Sequence, residues 1–122
     1  MIETERICYV EESWNTGMRR VNKIKEYEEA QGFRAWATGV YSNLPDILVL
    51  DDDEKLVRVY EVTNYAKPEF YISRAKAERY RNALLQFKCQ RIFVCSFESN
   101  LLDGKEFFTK YEIKVVVVGY QD

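Results

Sequence analysis

Two acidic residues, Asp46 and Glu61, are the side chains of this sequence best placed to act together in chemistry. Asp46 opens the apolar run PDILVL, and Glu61 stands near the end of the run LVRVYEVT, with an acidic turn between the two runs. Pairing the runs as an antiparallel hairpin with the loop 52–55 places Leu48 opposite Val59 and Asp46 opposite Glu61. The pattern therefore predicts two carboxylates side by side on one face of a sheet.

Two carboxylates this close repel each other, which raises the free-energy cost of ionising either one. A divalent cation that prefers oxygen ligands, such as Mg²⁺ or Mn²⁺, would offset the repulsion. A second interpretation stays open, in which Asp46 caps a turn after Pro45 and Glu61 pairs with a nearby lysine or arginine. The same register places Leu50 opposite Val57. A shift of the strand pairing by two residues would make the two acids diagonal neighbours.

The composition restricts the chemistry further, because the 122 residues include no histidine. This absence excludes Ser-His and Cys-His catalytic pairs and histidine-ligated metals. Three cysteines, an odd number without a C-x-x-C spacing, predict buried reduced thiols and neither a zinc site nor a disulfide framework. Catalysis would therefore depend on carboxylates, lysine, tyrosine or a cation bound by oxygen atoms.

Basic residues concentrate in two segments of a chain whose net charge is only −2. Such segments are compatible with binding a phosphate backbone, although solvated helix faces explain them equally well. In the second segment, three cations spaced by seven residues share one stripe of a helix. The candidate nucleic-acid contacts are Arg19, Arg20 and Lys23 in the first segment and Arg74, Arg81 and Lys88 in the second.

Apolar periodicity predicts one α/β domain over residues 1–122, with the order helix, three strands, helix, strand, helix, strand. The first three strands are joined tightly, and the helical crossover to the fourth implies a parallel neighbour, which makes the central sheet mixed. Gly32 is the expected end of the first helix, and Asp103-Gly104 is a candidate break in the last. The predicted helices are 17–31, 69–88 and 99–111, and the predicted strands are 33–41, 45–50, 56–63, 91–97 and 113–120.

No apolar run approaches the length of about 20 residues that a membrane-spanning helix needs. The first residues, MIETERICYV, carry acids where a signal peptide would carry bases. We therefore expect a cytoplasmic protein with no membrane partner.

The sequence Leu44-Pro45-Asp46-Ile47, followed by a hairpin and by Tyr60-Glu61-Val62-Thr63 before a basic helix, resembles the PD-(D/E)XK nuclease superfamily. Within that superfamily it is most similar to the archaeal Holliday junction resolvases, over about residues 17–97. The resemblance implies a restriction-endonuclease-like αβββαβ core with a mixed central sheet flanked by helices, followed here by a C-terminal helix and strand. It also implies that Asp46, Glu61 and the backbone carbonyl of Val62 bind Mg²⁺ or Mn²⁺.

Two positions depart from the family pattern. The family's lysine, two residues after the glutamate, is replaced by Thr63, whose hydroxyl can hydrogen-bond a water but carries no charge. Lys67 and Lys76 are candidates for supplying a displaced ammonium group. The glutamate that resolvase-like members carry in the first helix falls on Val21, with Glu11 as the remaining candidate ligand.

The expected function is that of a Mg²⁺-dependent DNA endonuclease, with a resolvase-like action on branched or duplex DNA and hydrolysis of phosphodiesters. The alternative is a catalytically inactive domain of the same fold that binds nucleic acid or a protein partner. A third interpretation is a small scaffold or dimerisation domain, forming a homodimer in which the strand at 115–118 pairs with that of a second copy across a two-fold axis. Burial within its own sheet explains that apolar strand equally well.

Overall fold

The computed structural model describes residues 18–39 and 43–120 of the chain. Within that part, the first helix, α1, covers residues 18–30. It turns one face to the sheet, because Val21, Ile24 and Glu28 recur at helical spacing and are buried or half-buried. Gly32 then adopts a φ of +93°, a left-handed conformation that glycine accepts without steric cost, and the predicted end of this helix is confirmed.

Three antiparallel strands follow, β1 (Arg34–Ala37), β2 (Ile47–Leu50) and β3 (Leu56–Val62). Strand β2 lies between the other two and pairs with both. Leu48 pairs with Val59, which confirms the predicted register at the centre of the second hairpin.

The register differs from the prediction at the turn between β2 and β3. The predicted pairing of Leu50 with Val57 is wrong, because the register shifts by one residue before the turn and Leu50 pairs with Leu56. Asp51 organises this turn, since its Oδ1 atom accepts hydrogen bonds of 2.9 Å from two backbone amides of the turn. The bulge shifts only the turn end of the hairpin and leaves the opposite end in the predicted register.

A helical crossover joins this antiparallel part of the sheet to two parallel strands. Helix α2 (Arg74–Leu85) begins after Ser73, whose hydroxyl accepts a hydrogen bond of 3.2 Å from the amide of Lys76. Strand β4 is parallel to β3, and β5 is parallel to β4. The remaining elements are β4 (Gln90–Cys95), α3 (Glu106–Thr109) and β5 (Ile113–Val117), and the strand order is β1-β2-β3-β4-β5.

The predicted single helix at 99–111 is wrong. The segment instead forms a 3₁₀ turn at Glu98–Asn100 and the short helix α3. Gly104 lies between the two with a φ of +75°, which no regular right-handed helix accommodates. The Asp103-Gly104 break considered from the sequence is therefore present.

The sheet separates two apolar cores, one on each face. The face toward α1 buries Val21, Ala35, Ile47, Val49, Tyr60, Val62, Ile92 and Val94. The face toward α2 and α3 buries Val59, Ile72, Ala77, Leu84, Phe93, Cys95, Leu101, Phe108 and Ile113. The described chain is thus an α/β protein with an open, mixed, five-stranded sheet and three helices. None of its described helices has the length and apolar character to cross a membrane.

A buried ion pair fixes α1 to the sheet. Glu28 is 1% exposed and accepts hydrogen bonds of 2.6 Å and 2.8 Å from Arg58 Nε and Nη2 and one of 2.5 Å from the hydroxyl of Tyr60. Burial alone would raise the pKa of Glu28, but the hydrogen bonds from Arg58 and Tyr60 outweigh it and lower the pKa. Glu28 therefore remains charged inside the protein.

Strand β5 ends the sheet within the described residues. Val117 and Val118 at this edge are 40% and 41% exposed. The pairing of segment 115–118 with a second copy stays a prediction.

Candidate functional site

The start of β2 and the end of β3 bring Asp46 and Glu61 together. The backbone amide of Asp46 donates a hydrogen bond of 3.0 Å to Glu61 Oε1, and the amide of Val62 donates one of 2.8 Å to Asp46 Oδ2. Both side chains lie on the α2 face of the sheet, which is also the face of Leu48 and Val59. The two acids are therefore side by side, as the hairpin register predicts.

Each acid uses only one carboxyl oxygen in this arrangement. Asp46 Oδ1 and Glu61 Oε2 accept no hydrogen bond from the residues that the structure describes. The N–H and C=O groups of one strand residue point to the same side, so the carbonyl of Val62 is directed to the side on which its amide meets Asp46. Asp46 Oδ1 and Glu61 Oε2 are thus candidate ligand atoms at the ends of these strands, with the Val62 carbonyl directed to the side of Asp46.

Burial dominates the electrostatics of the pair. Glu61 is 4% exposed, and burial, reinforced by the charge of Asp46, raises the pKa of Glu61 to about 9. Burial also raises the pKa of Asp46, against the hydrogen bond from the Val62 amide, which lowers it. At neutral pH Glu61 therefore holds a proton unless a cation replaces it.

A cleft of about 660 Å³ lies over the two acids, between the sheet and α2. Its volume is typical of ligand sites, which range from about 300 to 1,000 Å³. Gln86 Nε2 donates a hydrogen bond of 2.8 Å to the carbonyl oxygen of Asn43, which ties the end of α2 to the segment before β2. We call this the carboxylate cleft, and its lining residues are Gly39, Asn43, Leu44, Asp46, Glu61, Arg79, Tyr80, Asn82, Ala83 and Gln86.

Tyr80 closes the inner part of the carboxylate cleft. Its ring packs against Phe93, with the ring centroids 5.6 Å apart, so the residue belongs both to the core and to the cleft. Burial, followed by the charges of Tyr65, Glu61 and Asp46, raises the pKa of Tyr80. Its hydroxyl therefore stays protonated and can donate a hydrogen bond into the cleft.

Among the described residues that line the carboxylate cleft, the positive charge comes from Arg79, which was not among the site residues predicted from the sequence. Lys76 lies one turn earlier on α2, where burial and then the charge of Arg79 lower its pKa, but it is not part of the cleft wall. Lys67 places its ammonium 5.6 Å from the ring centroid of Phe70 and is also absent from the wall. The structure brings neither predicted lysine to the cleft.

Thr63 has a structural hydrogen bond in place of the expected contact with the cleft. Its hydroxyl donates a hydrogen bond of 3.0 Å to the carbonyl oxygen of Val94 on β4. The residue is 6% exposed and does not line the carboxylate cleft. The hydroxyl is therefore not available to orient a water there.

Arg20 was expected to contact nucleic acid, and the structure contradicts this. The residue is 3% exposed, and its guanidinium donates to the carbonyl oxygen of Thr63 at 2.6 Å, to Ser96 Oγ at 3.3 Å and to the carbonyl oxygen of Gly119. Burial lowers the pKa of Arg20 to about 10. Arg20 thus holds together the ends of β3, β4 and β5 and cannot reach a phosphate.

The predicted stripe of cations on α2 faces away from the carboxylate cleft. Arg74 forms an ion pair of 3.0 Å with Asp103, and the Arg81 guanidinium lies 4.8 Å from the ring centroids of both Phe107 and Tyr111. Residues two apart on a helix are separated by about 200°, so Arg81 and Arg79 point to nearly opposite sides. Lys88, the third member of the stripe, is exposed beyond the end of α2 and does not line the cleft either.

The remaining predicted residues lie on the other side of the sheet or outside the described residues. Arg19 and Lys23 are exposed on α1, which packs against the face opposite to the carboxylate cleft, and their binding to nucleic acid stays a prediction. Glu11 lies outside the described residues. Val21, where the resemblance would place a glutamate, is 5% exposed and belongs to the core on the α1 face.

The oxygen atoms of the carboxylate cleft suit Mg²⁺ or Mn²⁺ in kind and in number. Mg²⁺ in proteins is commonly bound through one or two carboxylates, with water and substrate phosphates as its other ligands. Asp46 and Glu61 supply two carboxylates with one oxygen each to spare. Within residues 18–39 and 43–120, no group of three or more acidic or cysteine side chains could hold a metal, so the described site offers two carboxylates and no third.

The residues of α2 that line the cleft were not predicted from the sequence. Arg79, Asn82 and Gln86 line it together because their spacing of three and four residues places them on one side of α2. That spacing is visible in the sequence, but it does not show which side of the helix faces the acids. The docking of α2 decides this.

No protein family, curated protein or solved structure matches this chain. The fold and the site therefore define its class by themselves. It is an α/β protein with an open mixed sheet, and a cleft with two acids, Glu61 buried and Asp46 half-buried, lies where an antiparallel hairpin passes into a parallel crossover.

Proposed function

We propose that the protein is a Mg²⁺-dependent DNA endonuclease of the PD-(D/E)XK type that acts at the carboxylate cleft. The observation that carries the proposal is the pair of hydrogen bonds, 3.0 Å from the Asp46 amide to Glu61 and 2.8 Å from the Val62 amide to Asp46, that fixes the two acids and leaves one oxygen of each for a cation. The arrangement of three antiparallel strands, a helical crossover and a parallel strand supports a restriction-endonuclease-like αβββαβ core.

Each polar group of the cleft has a part in this proposal. Mg²⁺ or Mn²⁺, held by Asp46, Glu61 and the carbonyl of Val62, would supply positive charge where negative charge develops on the phosphate. Arg79 on the facing wall binds a phosphate oxygen through its planar guanidinium. The protonated hydroxyl of Tyr80 donates a further hydrogen bond and helps to orient the phosphate.

A catalytically inactive domain that binds nucleic acid is the second candidate, and a specific observation favours it. No lysine lines the described part of the carboxylate cleft, and Thr63 uses its hydroxyl in a hydrogen bond to Val94. The guanidinium of Arg79 can neutralise phosphate charge but offers only hydrogen-bond donors and no acceptor. Binding without cleavage would follow if the reaction requires an ammonium group.

Cleavage of DNA by matched variants tests the first candidate. Branched, duplex and single-stranded DNA should be incubated with Mg²⁺ or Mn²⁺ and the wild type, Asp46→Asn or the control Asp52→Asn, which changes an exposed acid of the β2–β3 turn. We expect Asp46→Asn to reduce cleavage by about 10²-fold or more, since it removes a charged ligand. Equal cleavage by the wild type and Asp46→Asn would assign the activity to another site or to a contaminant.

A metal titration separates the two candidates from a protein without a cation site. The backbone amides of Asp46 and Val62 hydrogen-bond the acids, so their NMR shifts should change when Mg²⁺ is added. Shifts without cleavage of any DNA would favour the inactive domain. Amides that do not respond at millimolar Mg²⁺ would contradict the cation site itself.

The assignment of the phosphate contact to Arg79 is tested by salt dependence. Arg79→Gln should weaken DNA binding and reduce the slope of log affinity against log salt by about 1, because one phosphate contact is lost. Arg81→Gln is the matched control, since Arg81 stacks on Phe107 and Tyr111 on the other side of α2. A reduced slope for Arg81→Gln alone would instead assign the phosphate contact to the stripe of cations predicted from the sequence.

A further inference from the structure

An exposed tryptophan lies on the same face of the sheet as Asp46 and Glu61. Trp36 on β1 pairs with Leu48 on β2, and the amide of Thr38 donates a hydrogen bond of 3.0 Å to the carbonyl oxygen of Asp46, so this pairing continues as far as the acid. Directly opposed residues in an antiparallel pair share a face. Trp36 is therefore on the α2 face, diagonal to Asp46 across adjacent strands.

Diagonal neighbours across two strands are about 7–8 Å apart, a distance that a large aromatic side chain can bridge. The indole nevertheless remains 61% exposed, whereas Ala35, its neighbour on the opposite face, is 3% exposed. No ring or cation of the described residues contacts the indole. An open aromatic surface thus stands beside the two acids.

The charged groups of the carboxylate cleft, together with the indole beside it, suit a nucleotide. Arg79 on α2 is cationic and exposed, Asp46 and Glu61 lie at the base of the carboxylate cleft, and Trp36 lies on the β1 side of the acids. A polymer with an anionic backbone and flat aromatic bases matches both surfaces, because the guanidinium takes the phosphate and the indole takes a base.

We propose that Trp36 is a stacking platform for an unpaired base, so that the carboxylate cleft takes single-stranded DNA or the single-stranded part of a branched DNA. The inference deepens and rests on the proposed function, since the strand stacked on Trp36 is the one whose phosphate reaches the acids. Bases in a duplex are covered on both faces by their neighbours, whereas an unpaired base has a face open to the indole. Trp36 therefore makes the site selective for strands with unpaired bases.

Binding measurements without a divalent cation test this inference independently of cleavage. A fluorescent oligo(dT) strand of about 12 nucleotides, a duplex of the same length and an abasic strand should be titrated in EDTA. We expect the wild type to bind oligo(dT) more tightly than the duplex. Trp36→Ala should weaken oligo(dT) binding roughly five- to 150-fold, Trp36→Phe should retain most of the affinity, and binding of the abasic strand should not respond to either change.

Tyr27 provides a matched control for the loss of an exposed aromatic ring. It is 62% exposed, close to the 61% of Trp36, but it stands on α1, which packs against the opposite face of the sheet. Tyr27→Ala should leave oligo(dT) binding unchanged. Thermal denaturation of each variant shows whether the fold is retained, and Trp36→Phe keeps the inference testable if Trp36→Ala does not fold.

The possible outcomes separate this inference from the proposed function. Binding of oligo(dT) that depends on Trp36, in a protein that cleaves no DNA with Mg²⁺, would support the inference and contradict the nuclease. Cleavage that depends on Asp46, together with equal affinity for duplex and oligo(dT) and no effect of Trp36→Ala, would overturn the inference alone. An equal loss of affinity on the abasic strand, or no binding of any DNA, would also overturn it.

Discussion

Replacing Glu61 with glutamine tests the electrostatics of the carboxylate cleft without removing its geometry. Glutamine retains the oxygen that accepts the hydrogen bond from the Asp46 amide, 3.0 Å long in the wild type, but it does not ionise. The variant therefore removes one titrating group and leaves the backbone contact in place.

The magnitude follows from the difference in pKa between the folded and unfolded states. The pKa of Glu61 rises from 4.5 to about 9 on folding, so the folded protein keeps a proton that the unfolded chain releases. The contribution of Glu61 to stability is greatest below pH 4.5 and falls as the pH rises toward 9, by about 1.4 kcal/mol per pH unit for one proton. Between pH 5 and pH 7 the loss is on the order of 3 kcal/mol.

Urea denaturation at a series of pH values measures this effect. The free energy of unfolding of Glu61→Gln relative to the wild type should increase by about 3 kcal/mol from pH 5 to pH 7. At pH 7, Mg²⁺ should stabilise the wild type and have little effect on Glu61→Gln, because metal binding is coupled to release of the proton. Glu29→Gln, which changes an exposed residue of α1, is the control.

A difference between wild type and Glu61→Gln that does not change with pH would refute this reasoning. It would mean that Glu61 ionises normally in the folded protein and that burial does not hold its proton. A stabilisation by Mg²⁺ of equal size in both proteins would separately place the cation elsewhere.

Three further predictions concern residues that hold the fold around the site. Thr63→Lys should destabilise the protein by about 2 kcal/mol or more, because it breaks the hydrogen bond to Val94 and buries an ammonium group. It should not increase cleavage, and a more active variant would contradict this. Glu28→Ala should lower the free energy of unfolding, measured by urea denaturation, by about 3–5 kcal/mol. The double variant with Arg58→Met should recover part of this loss, and strictly additive losses would contradict a coupled pair. Arg20→Met should lower the melting temperature without changing the salt dependence of DNA binding, and a reduced salt slope would return Arg20 to the binding surface.

The hairpin and its two acids could be predicted from the sequence because they depend on local rules. Side chains alternate along a strand, so the pairing of Leu48 with Val59 fixes the side on which Asp46 and Glu61 emerge. The alternation of side chains did not predict the register at the turn. There the pairing shifts by one residue, and the side chain of Asp51 accepts hydrogen bonds from two amides of the turn.

The roles of the basic side chains could not be predicted from the sequence, because they depend on how the helices dock on the sheet. Arg74 and Arg81 do share one side of α2, as a spacing of seven residues requires, but that side packs toward α3. Arg79 has no stronger signal in the sequence than these two. The sequence predicts Arg20 as a surface base. The carbonyl oxygens of Thr63 and Gly119 and the hydroxyl of Ser96, which only the folded sheet brings together at the ends of three strands, hold it inside the protein.

The position of the positively charged side chain, Arg79, also affects which reactions the carboxylate cleft can support. A lysine in place of Thr63 would follow Glu61 by two residues on one strand, and the backbone itself would fix its position relative to the acid. Arg79 instead reaches the cleft from α2, so its distance from Asp46 and Glu61 depends on the packing of the helix and on the hydrogen bond between Gln86 and Asn43. A guanidinium on a separate wall is suited to grip a phosphate and less suited to position a water beside the acids. In the proposed function, the phosphate contact would therefore fall to Arg79, whereas the rate of cleavage would depend on how well Asp46 and Glu61 act without a neighbouring ammonium group.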